Sequence, residues 1–169
     1  MDTAATTSPP AEEPIRFRGI TYLTPHFSLE ELTKTEHRNI DNTPPLAIVE
    51  KLRSITAPGM ELVRAALGNR VISVNSGYRC PELNAAVGGA AHSAHPEGLA
   101  VDFSCYGFGR PIDVCRALVA STVKFDQIIE EGTWVHISFD PRMRNQVLTK
   151  VPGSSPTRYA AGLPVERHG

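Results

Sequence analysis

The 169-residue sequence predicts a single α+β domain in which helices pack on one side of a small antiparallel sheet. Two patterns predict this class: short segments in which large apolar residues alternate with polar ones, and longer segments in which apolar residues recur at helical spacing. The length suits one domain with a buried core. The apolar fraction of 41% and the charged fraction of 21% are ordinary for a globular protein.

The two ends of the chain differ in composition from its middle. Residues 1–14 are rich in Thr, Ala, Pro and Glu and predict a flexible leader, whereas residues 151–169 are rich in Gly, Pro and Ser and predict an irregular tail. The folded domain is expected over residues 15–150. The N-terminus lacks the basic and apolar regions of a signal peptide, and no apolar run approaches the length of a bilayer span. We therefore expect cytoplasmic synthesis without a signal peptide, and no membrane span.

Capping residues and apolar spacing predict the helices. Ser28 and Glu31 match a capping box that begins a helix over residues 29–35. Apolar residues at helical spacing then fill residues 46–67, where Pro58-Gly59 is expected to kink or interrupt the helix. Two further helices are predicted over residues 81–87 and 111–122.

Alternating segments predict strands over residues 70–75, 99–104, 125–129, 134–139 and 142–149. Successive side chains of a strand point to opposite faces. Val101 and Phe103 therefore share a core face that excludes Asp102, and Val135 and Ile137 share one that excludes His136. If these two strands are neighbours in one sheet, Asp102 and His136 project from the same surface.

A third polar residue can reach that surface. His95 lies on a glycine-bearing loop just before the Asp102 strand. Two imidazoles and one carboxylate suit zinc, and three protein ligands leave the fourth position to water, as in catalytic sites. The sequence thus predicts a zinc site formed by His95, Asp102 and His136, with His92 behind the ligands or in solvent. The alternative is a metal-free fold in which the two ligand histidines are hydrogen-bonded in the core.

Charge and cysteine content exclude other classes of site. A formal net charge of −1 gives no reason to expect nucleic acid or an anionic membrane as a partner. The chain has an odd number of cysteines, Cys80, Cys105 and Cys115, and none of them is in a Cys-x-x-Cys motif. This predicts free thiols.

Three motifs surround the predicted ligands: Ser76-Gly77-Tyr78-Arg79, Ser93-x-His95-x-x-Gly98-x-Ala100-x-Asp102 and Trp134-Val135-His136. Together they resemble the zinc D-alanyl-D-alanine carboxypeptidase family, which includes D,D-dipeptidases and bacteriophage peptidoglycan endopeptidases. The resemblance extends from Phe27 to the region of Val147-Leu148. The short format with Asp41-Asn42-Thr43-Pro44-Pro45 upstream is most similar to phage-encoded members.

The resemblance implies an activity and roles for individual residues. It implies zinc-dependent hydrolysis of a peptide bond in peptidoglycan stem peptides or cross-links. Arg79 would hold a substrate carbonyl or carboxylate, and Ser93 would help to bind the peptide. The expected partner is the peptidoglycan peptide, with other phage particle proteins as further candidates. The expected place of action is the bacterial cell wall or a phage particle.

The identity of the general base stays open. Many relatives carry a carboxylate three residues before the last histidine, but this sequence has Thr133 there. Glu130 is ranked first, because its even offset from His136 returns it to the same face across a bend at Gly132, and Glu131 is ranked second. If neither serves, the chain is a non-catalytic phage particle or binding protein that keeps the fold and the metal site.

Overall fold

The computed structural model describes residues 14–165, so the predicted leader lies outside the described residues except for Pro14. The strands are β1 Ile15–Phe17, β2 Ile20–Tyr22, β3 Ser73–Ser76, β4 Ala100–Ser104, β5 Gln127–Glu130, β6 Val135–Ser138, β7 Gln146–Lys150 and β8 Tyr159–Ala161. The helices are α1 Leu29–Thr33, α2 Leu46–Lys51, α3 Ala57–Ala66, α4 Pro81–Ala86 and α5 Pro111–Ala120, and a π-helical turn, Leu52–Thr56, joins α2 to α3.

The strands form two sheets in one domain. β1 and β2 make a two-stranded antiparallel sheet, and the other strands make a six-stranded sheet in the order β3-β4-β6-β5-β7-β8. The larger sheet is mixed, because β5 and β7 are parallel while its other pairs are antiparallel. The prediction of an antiparallel sheet is therefore wrong for one pair. Both sides of β6 are occupied by β4 and β5, so the chain leaving β6 crosses to the outer edge of β5, where Gln146 lies opposite Gln127.

The predicted interruption at Pro58 takes the form of the π-helical turn. The helix continues from Leu46 to Ala66, and the backbone N–H of Ala57 donates to the carbonyl of Leu52, five residues back. Proline in a helix interior lacks an N–H and its ring conflicts with the carbonyl four residues earlier. A wider turn directly before the proline accommodates both effects, so the helix is continuous.

The core brings together buried residues of the larger sheet and of the helices. Val101 and Phe103 of β4 and Val135 and Ile137 of β6 are buried there, which confirms the alternation predicted for both strands. From the helices come Leu52, Met60, Val63, Val114, Cys115 and Leu118. The opposite sheet face carries Asp102 and His136 and lines a cleft.

Several local expectations are also settled. The hydroxyl of Ser28 accepts from the backbone N–H of Glu31 and caps α1, as predicted. The three cysteines are free thiols. The expected irregular tail includes β8, which pairs with β7 and brings Tyr159 to the cleft. Within residues 14–165, no helix is long and apolar enough to cross a membrane.

Candidate metal centre

Asp102 and His136 are directly opposed in the antiparallel pair β4 and β6. Opposed residues project from the same face of a sheet. Asp102 Oδ1 lies 2.9 Å from His136 Nδ1, and both residues are 9% exposed. The strand-parity prediction is therefore confirmed: the two side chains meet on the face that the core does not use.

His95 completes the cluster from the turn before β4. Its side chain is fully buried, and its Nε2 atom lies 3.2 Å from Asp102 Oδ1 and 3.2 Å from His136 Nδ1. The three ligand atoms thus form a nearly equilateral triangle. In a tetrahedral zinc site with bonds of about 2.0–2.1 Å, neighbouring ligand atoms lie about 3.3 Å apart. The triangle therefore has the size that a zinc ion requires.

The orientation of His95 is fixed by the backbone of another motif. His95 Nδ1 lies 2.6 Å from the carbonyl oxygen of Gly77. A carbonyl can only accept, so Nδ1 carries the proton and Nε2 presents a lone pair to the cluster. A metal-ligating histidine commonly donates its other N–H to a carbonyl in this way.

The position of Gly77 explains why a glycine precedes Tyr78. A Cβ atom at Gly77 would overlap the carbonyl oxygen of Leu32 in α1. That same carbonyl accepts from the backbone N–H of Tyr78 at 2.7 Å. The absent side chain thus lets helix α1 and the chain after β3 lie close together, which sets the carbonyl that orients His95.

The loop between His95 and β4 is held against the long helix. Gly98 has a φ of +70°, a conformation that L side chains rarely adopt, and its carbonyl accepts from the Thr56 hydroxyl at 2.6 Å. A Cβ at Gly98 would also come within 2.9 Å of Ile48. The π-helical turn and α2 therefore fix the path by which His95 enters the site.

The chemistry of the donor set fits a cation. With Nδ1 of His95 protonated, the Nε2 lone pair faces the carboxylate oxygen of Asp102, so two acceptors lie 3.2 Å apart. Burial lowers the pKa of His95, an effect that Asp102 only partly opposes. A neutral His95 leaves these acceptors without a proton between them, and a metal ion at the centre of the triangle satisfies all three atoms. This observation favours a metal site over a metal-free hydrogen-bonded core.

Asp102 is held in its ionised form. Burial alone would raise the pKa of this carboxyl, but its electrostatic interactions with the His95 and His136 rings outweigh that effect and lower it well below the usual range. An ionised carboxylate beside a neutral imidazole is the protonation state in which both groups bind a metal.

The cluster forms part of a cleft of about 490 Å³. Arg79, Ser93, Glu131 and Trp134 also line it. Besides these side chains, the cleft has walls of glycine and alanine on one side and of strand residues from β5, β7 and β8 on the other. An open cleft with buried ligands at its floor can admit an extended peptide.

Arg79 lies beside the ligands. Its guanidinium NH2 group is 3.7 Å from Asp102 Oδ2, and its side chain is 15% exposed. Burial lowers the pKa of Arg79, while the charges of Asp102 and Glu131 raise it. Its Nε atom is buried and has no hydrogen-bond partner among the described residues. A fixed positive charge with a spare donor therefore borders the metal centre.

Ser93 and His92 lie on the loop that leads to His95. The Ser93 hydroxyl accepts from the backbone N–H of His95 at 3.3 Å and lines the cleft. His92 is exposed at the cleft wall and does not belong to the ligand cluster. This exposure agrees with one of the two places predicted for His92.

The two candidate bases lie on opposite faces of β5. In the hairpin of β5 and β6, Glu130 is opposed to Val135, a core residue. Burial, and after it the charge of Glu130, raises the pKa of the Cys115 thiol to about 12. The backbone N–H of Glu131 instead donates a hydrogen bond to the carbonyl oxygen of Trp134, and Glu131 lines the cleft. The prediction that Glu130 shares a face with His136 is wrong, because this hairpin opposes His136 to Ile129, so Glu131 and not Glu130 lies on the His136 face.

Thr133 lies exposed at the tip of this hairpin. The residues of the tight turn, Gly132 and Thr133, extend beyond the paired strands. A carboxylate at position 133 would not be held by a strand neighbour here. The acid that the cleft contains is Glu131, two residues earlier.

Two further cleft residues were not predicted from the sequence. The Tyr159 hydroxyl donates to Glu131 Oε1 at 3.1 Å, and Lys150 Nζ lies 3.6 Å from Glu131 Oε2. Lys150 directly follows the predicted last strand, residues 142–149, and Tyr159 lies in the predicted tail, residues 151–169. No local pattern marks them, because only the crossover that places β7 beside β5 brings them to the cleft.

The buried cluster of two histidines and one carboxylate has the ligand composition of catalytic zinc sites in hydrolases. A family model described as Peptidase M15 matches residues 25–138, which contain all three ligands. The chain therefore belongs to the Peptidase M15 family, whose members are zinc peptidases. No curated protein matches the sequence significantly.

Proposed function

We propose that this protein hydrolyses a peptide bond in peptidoglycan stem peptides or cross-links, with zinc held by His95, Asp102 and His136. The observation that carries the proposal is the triangle of ligand atoms, with edges of 2.9 to 3.2 Å, at the floor of an open cleft. The match to Peptidase M15 supports peptide hydrolysis. The three sequence motifs support peptidoglycan as the substrate.

Zinc bound there would lower the pKa of a water ligand towards about 7 and polarise the scissile carbonyl. Glu131 is the general base in this proposal: it takes a proton from the attacking water and returns it to the leaving amine. The position of Glu131 supports its role as the base. Glu131 and His136 are diagonal neighbours in the hairpin. The Cα atoms of such neighbours lie about 7–8 Å apart, a distance that a long side chain can span.

Arg79 stabilises the negative charge that develops on the substrate carbonyl oxygen. A buried positive charge in a low-dielectric site acts strongly on such charge and requires no reorganisation. The guanidinium has a free Nε donor beside the cluster, which supports this role. Ser93, on the loop that positions His95, binds the peptide backbone of the substrate.

The proposed place of action follows from the substrate. The protein acts at the bacterial cell wall, as a phage-encoded lysis enzyme or as an enzyme carried by a phage particle and in contact with its other proteins. The resemblance of the three sequence motifs to a family that includes bacteriophage endopeptidases supports this origin.

The direct test is hydrolysis of cell-wall material. Zinc-loaded protein is incubated with purified sacculi, and the released peptides are identified by mass spectrometry. We expect new amino and carboxyl termini at one peptide bond, and their identity gives the bond cleaved. Asp102→Asn is the matched control, since it removes the ligand charge with almost no change of shape. An absence of cleavage by the wild type from acid to mildly basic pH would contradict the proposal.

A second candidate is a non-catalytic binding protein that keeps the metal site. It is favoured by Thr133 at the usual acid position and by the two contacts that already engage Glu131. Such a protein would retain zinc and bind sacculi in a sedimentation assay without releasing any peptide. The same incubation therefore separates the two candidates.

A further inference from the structure

Four cleft side chains form a row across the larger sheet, next to the metal ligands. Glu131 and Trp134 are joined by a backbone hydrogen bond at the end of the β5 and β6 hairpin. On the other side of β5, Glu130 is opposed to Thr149, so Glu131 comes beside Lys150, and Lys150 is opposed to Tyr159 in β8. The row therefore runs in the order Trp134, Glu131, Lys150, Tyr159.

Each oxygen of the Glu131 carboxylate has its own neighbour in this row. Oε1 accepts from the Tyr159 hydroxyl at 3.1 Å, and Oε2 lies 3.6 Å from Lys150 Nζ. The Glu131 side chain is only 10% exposed. A carboxylate that is enclosed on both oxygens has few rotamers left, so its direction is set by the two neighbours.

The two neighbours are themselves held in place. Lys150 Nζ lies 5.3 Å from the centre of the Trp134 ring, in a cation–π arrangement. Burial, the charge of Glu131 and the hydrogen bond to it raise the pKa of Tyr159 to about 12, and Asp102 adds to this effect. The phenol therefore keeps the proton that it donates throughout the neutral range.

Both neighbours lie outside the segment that defines the family. The Peptidase M15 match ends at residue 138, whereas Lys150 and Tyr159 are on β7 and β8. The crossover after β6 carries the chain back along β5 and thereby adds these strands to the cleft edge. This part of the chain thus supplies side chains to the site in addition to extending the sheet.

We propose that Tyr159, together with Lys150, is a positioning residue that holds the Glu131 carboxylate towards the metal centre. This inference rests on the proposed function, in which Glu131 is the general base. Tyr159 and Lys150 do not touch the reacting atoms in this scheme. They restrict Glu131 to one direction, and their loss lowers the rate of the chemical step without weakening substrate binding.

The test is a double-mutant cycle on the zinc-loaded, full-length protein. Tyr159→Phe removes only the hydroxyl, and Lys150→Met removes only the charge. Each is combined with Glu131→Gln, and kcat and KM are measured on soluble muropeptides released from sacculi by a muramidase. We expect Tyr159→Phe to lower kcat about tenfold, the size of a lost hydrogen bond to a charged group, with KM and zinc content unchanged. In the Glu131→Gln background it should have no further effect.

Matched controls separate positioning from folding. Tyr106 is 79% exposed and does not line the cleft, and Lys124 is exposed, so Tyr106→Phe and Lys124→Met should leave kcat unchanged. Circular dichroism and zinc stoichiometry check that each variant is folded. If Tyr159→Phe unfolds the chain, the Lys150→Met cycle provides the same comparison.

The outcomes distinguish the two proposals. A wild type that cleaves and a Tyr159→Phe variant with unchanged kcat would overturn the positioning role alone. A Tyr159→Phe effect that persists in the Glu131→Gln background would also overturn it, because the hydroxyl would then act without Glu131. A zinc-loaded wild type that cleaves no muropeptide would overturn the proposed function, and the positioning role with it.

Discussion

Asp102 and His136 are opposed residues on neighbouring antiparallel strands, with Oδ1 and Nδ1 2.9 Å apart. Their backbone positions are set by the ladder of hydrogen bonds between β4 and β6, which also buries Val101, Phe103, Val135 and Ile137 on the other face. The core therefore fixes the separation of these two ligands. His95 is the ligand whose position depends on loops, and it is held by contacts with Gly77 and the long helix.

Removal of one ligand should abolish stoichiometric zinc binding. His136→Ala leaves two protein ligands, so we expect the zinc affinity to fall by more than the 10–100-fold cost of losing a supporting hydrogen bond. Zinc per chain is measured by inductively coupled plasma mass spectrometry after dialysis. His37→Ala changes an exposed histidine outside the cluster and should keep the wild-type content. Equal zinc content in both variants would rule out the assigned ligand set.

Gly77→Ala should weaken zinc binding without touching a ligand. The added methyl group overlaps the Leu32 carbonyl, so the chain must move and the Gly77 carbonyl no longer orients His95. Loss of such a supporting contact typically costs about 10–100-fold in metal affinity. The measurement is competition with a chromophoric zinc chelator. Gly107→Ala is the control, since its added Cβ would meet nothing closer than 3.8 Å. An unchanged affinity for Gly77→Ala would show that the His95 ring does not depend on this carbonyl.

The two adjacent glutamates should differ in their importance for catalysis. Glu131→Gln should lower kcat by about 10²–10⁴-fold, the usual contribution of a general base, while zinc content is retained. Glu130→Gln should leave kcat near the wild-type value, because Glu130 lies on the core side of β5 opposite Val135. Both rates are measured on muropeptides under the same conditions. If Glu130→Gln lowers kcat more than Glu131→Gln does, the general base is Glu130, the residue ranked first from the sequence.

Asp126 should contribute to stability rather than to catalysis. This fully buried carboxylate accepts from the Arg144 guanidinium at 2.6 Å and from the Arg144 backbone at 2.9 Å. The hydrogen bonds from Arg144 lower the pKa of Asp126 in the folded state, although burial opposes them. Asp126→Asn should therefore reduce the free energy of unfolding at pH 7 by about 2 kcal/mol, as measured by urea denaturation.

The pH dependence of this effect has a definite sign. A folded-state pKa below the unfolded value of about 3.9 gives stability that is complete above pH 3.9 and is lost as the pH falls towards the folded pKa. The difference between wild type and Asp126→Asn should thus shrink below about pH 4. Asp140→Asn, at a more exposed pair with Arg142, is expected to cost only about 0–1 kcal/mol. A constant difference for Asp126→Asn from pH 7 to pH 3 would contradict the assignment.

The sequence alone predicted the ligand pair on β4 and β6 because a strand has a period of two. Once Val101, Phe103, Val135 and Ile137 are assigned to the core, the faces of Asp102 and His136 follow. His95 could be added because a glycine-bearing loop directly precedes the strand. The capping of α1 by Ser28 was equally local and was predicted correctly.

The faces of the two candidate bases could not be predicted in the same way. Their faces depend on the exact hairpin register, and a shift of one residue moves every side chain to the other face. The structure pairs Glu130 with Val135, which puts Glu131 and Trp134 on the cleft side. Counting residues back from His136 could not show which of the two adjacent glutamates shares its face, because the length of the turn between the strands was unknown.

The sequence by itself predicted the cluster of His95, Asp102 and His136, the free thiols and the general class of fold, because these depend on residue type and on local periodicity. Only the tertiary structure decided the parallel pairing of β5 with β7, the cleft face of Glu131 and the contacts of Lys150 and Tyr159 with it. The face of Glu131 depends on the register of the β5 and β6 hairpin, whereas the pairing of β7 and the contacts of Lys150 and Tyr159 depend on which sheet edge remains open after β6 is enclosed by β4 and β5. That choice is made by the packing of the whole sheet, and no short segment of the chain encodes it.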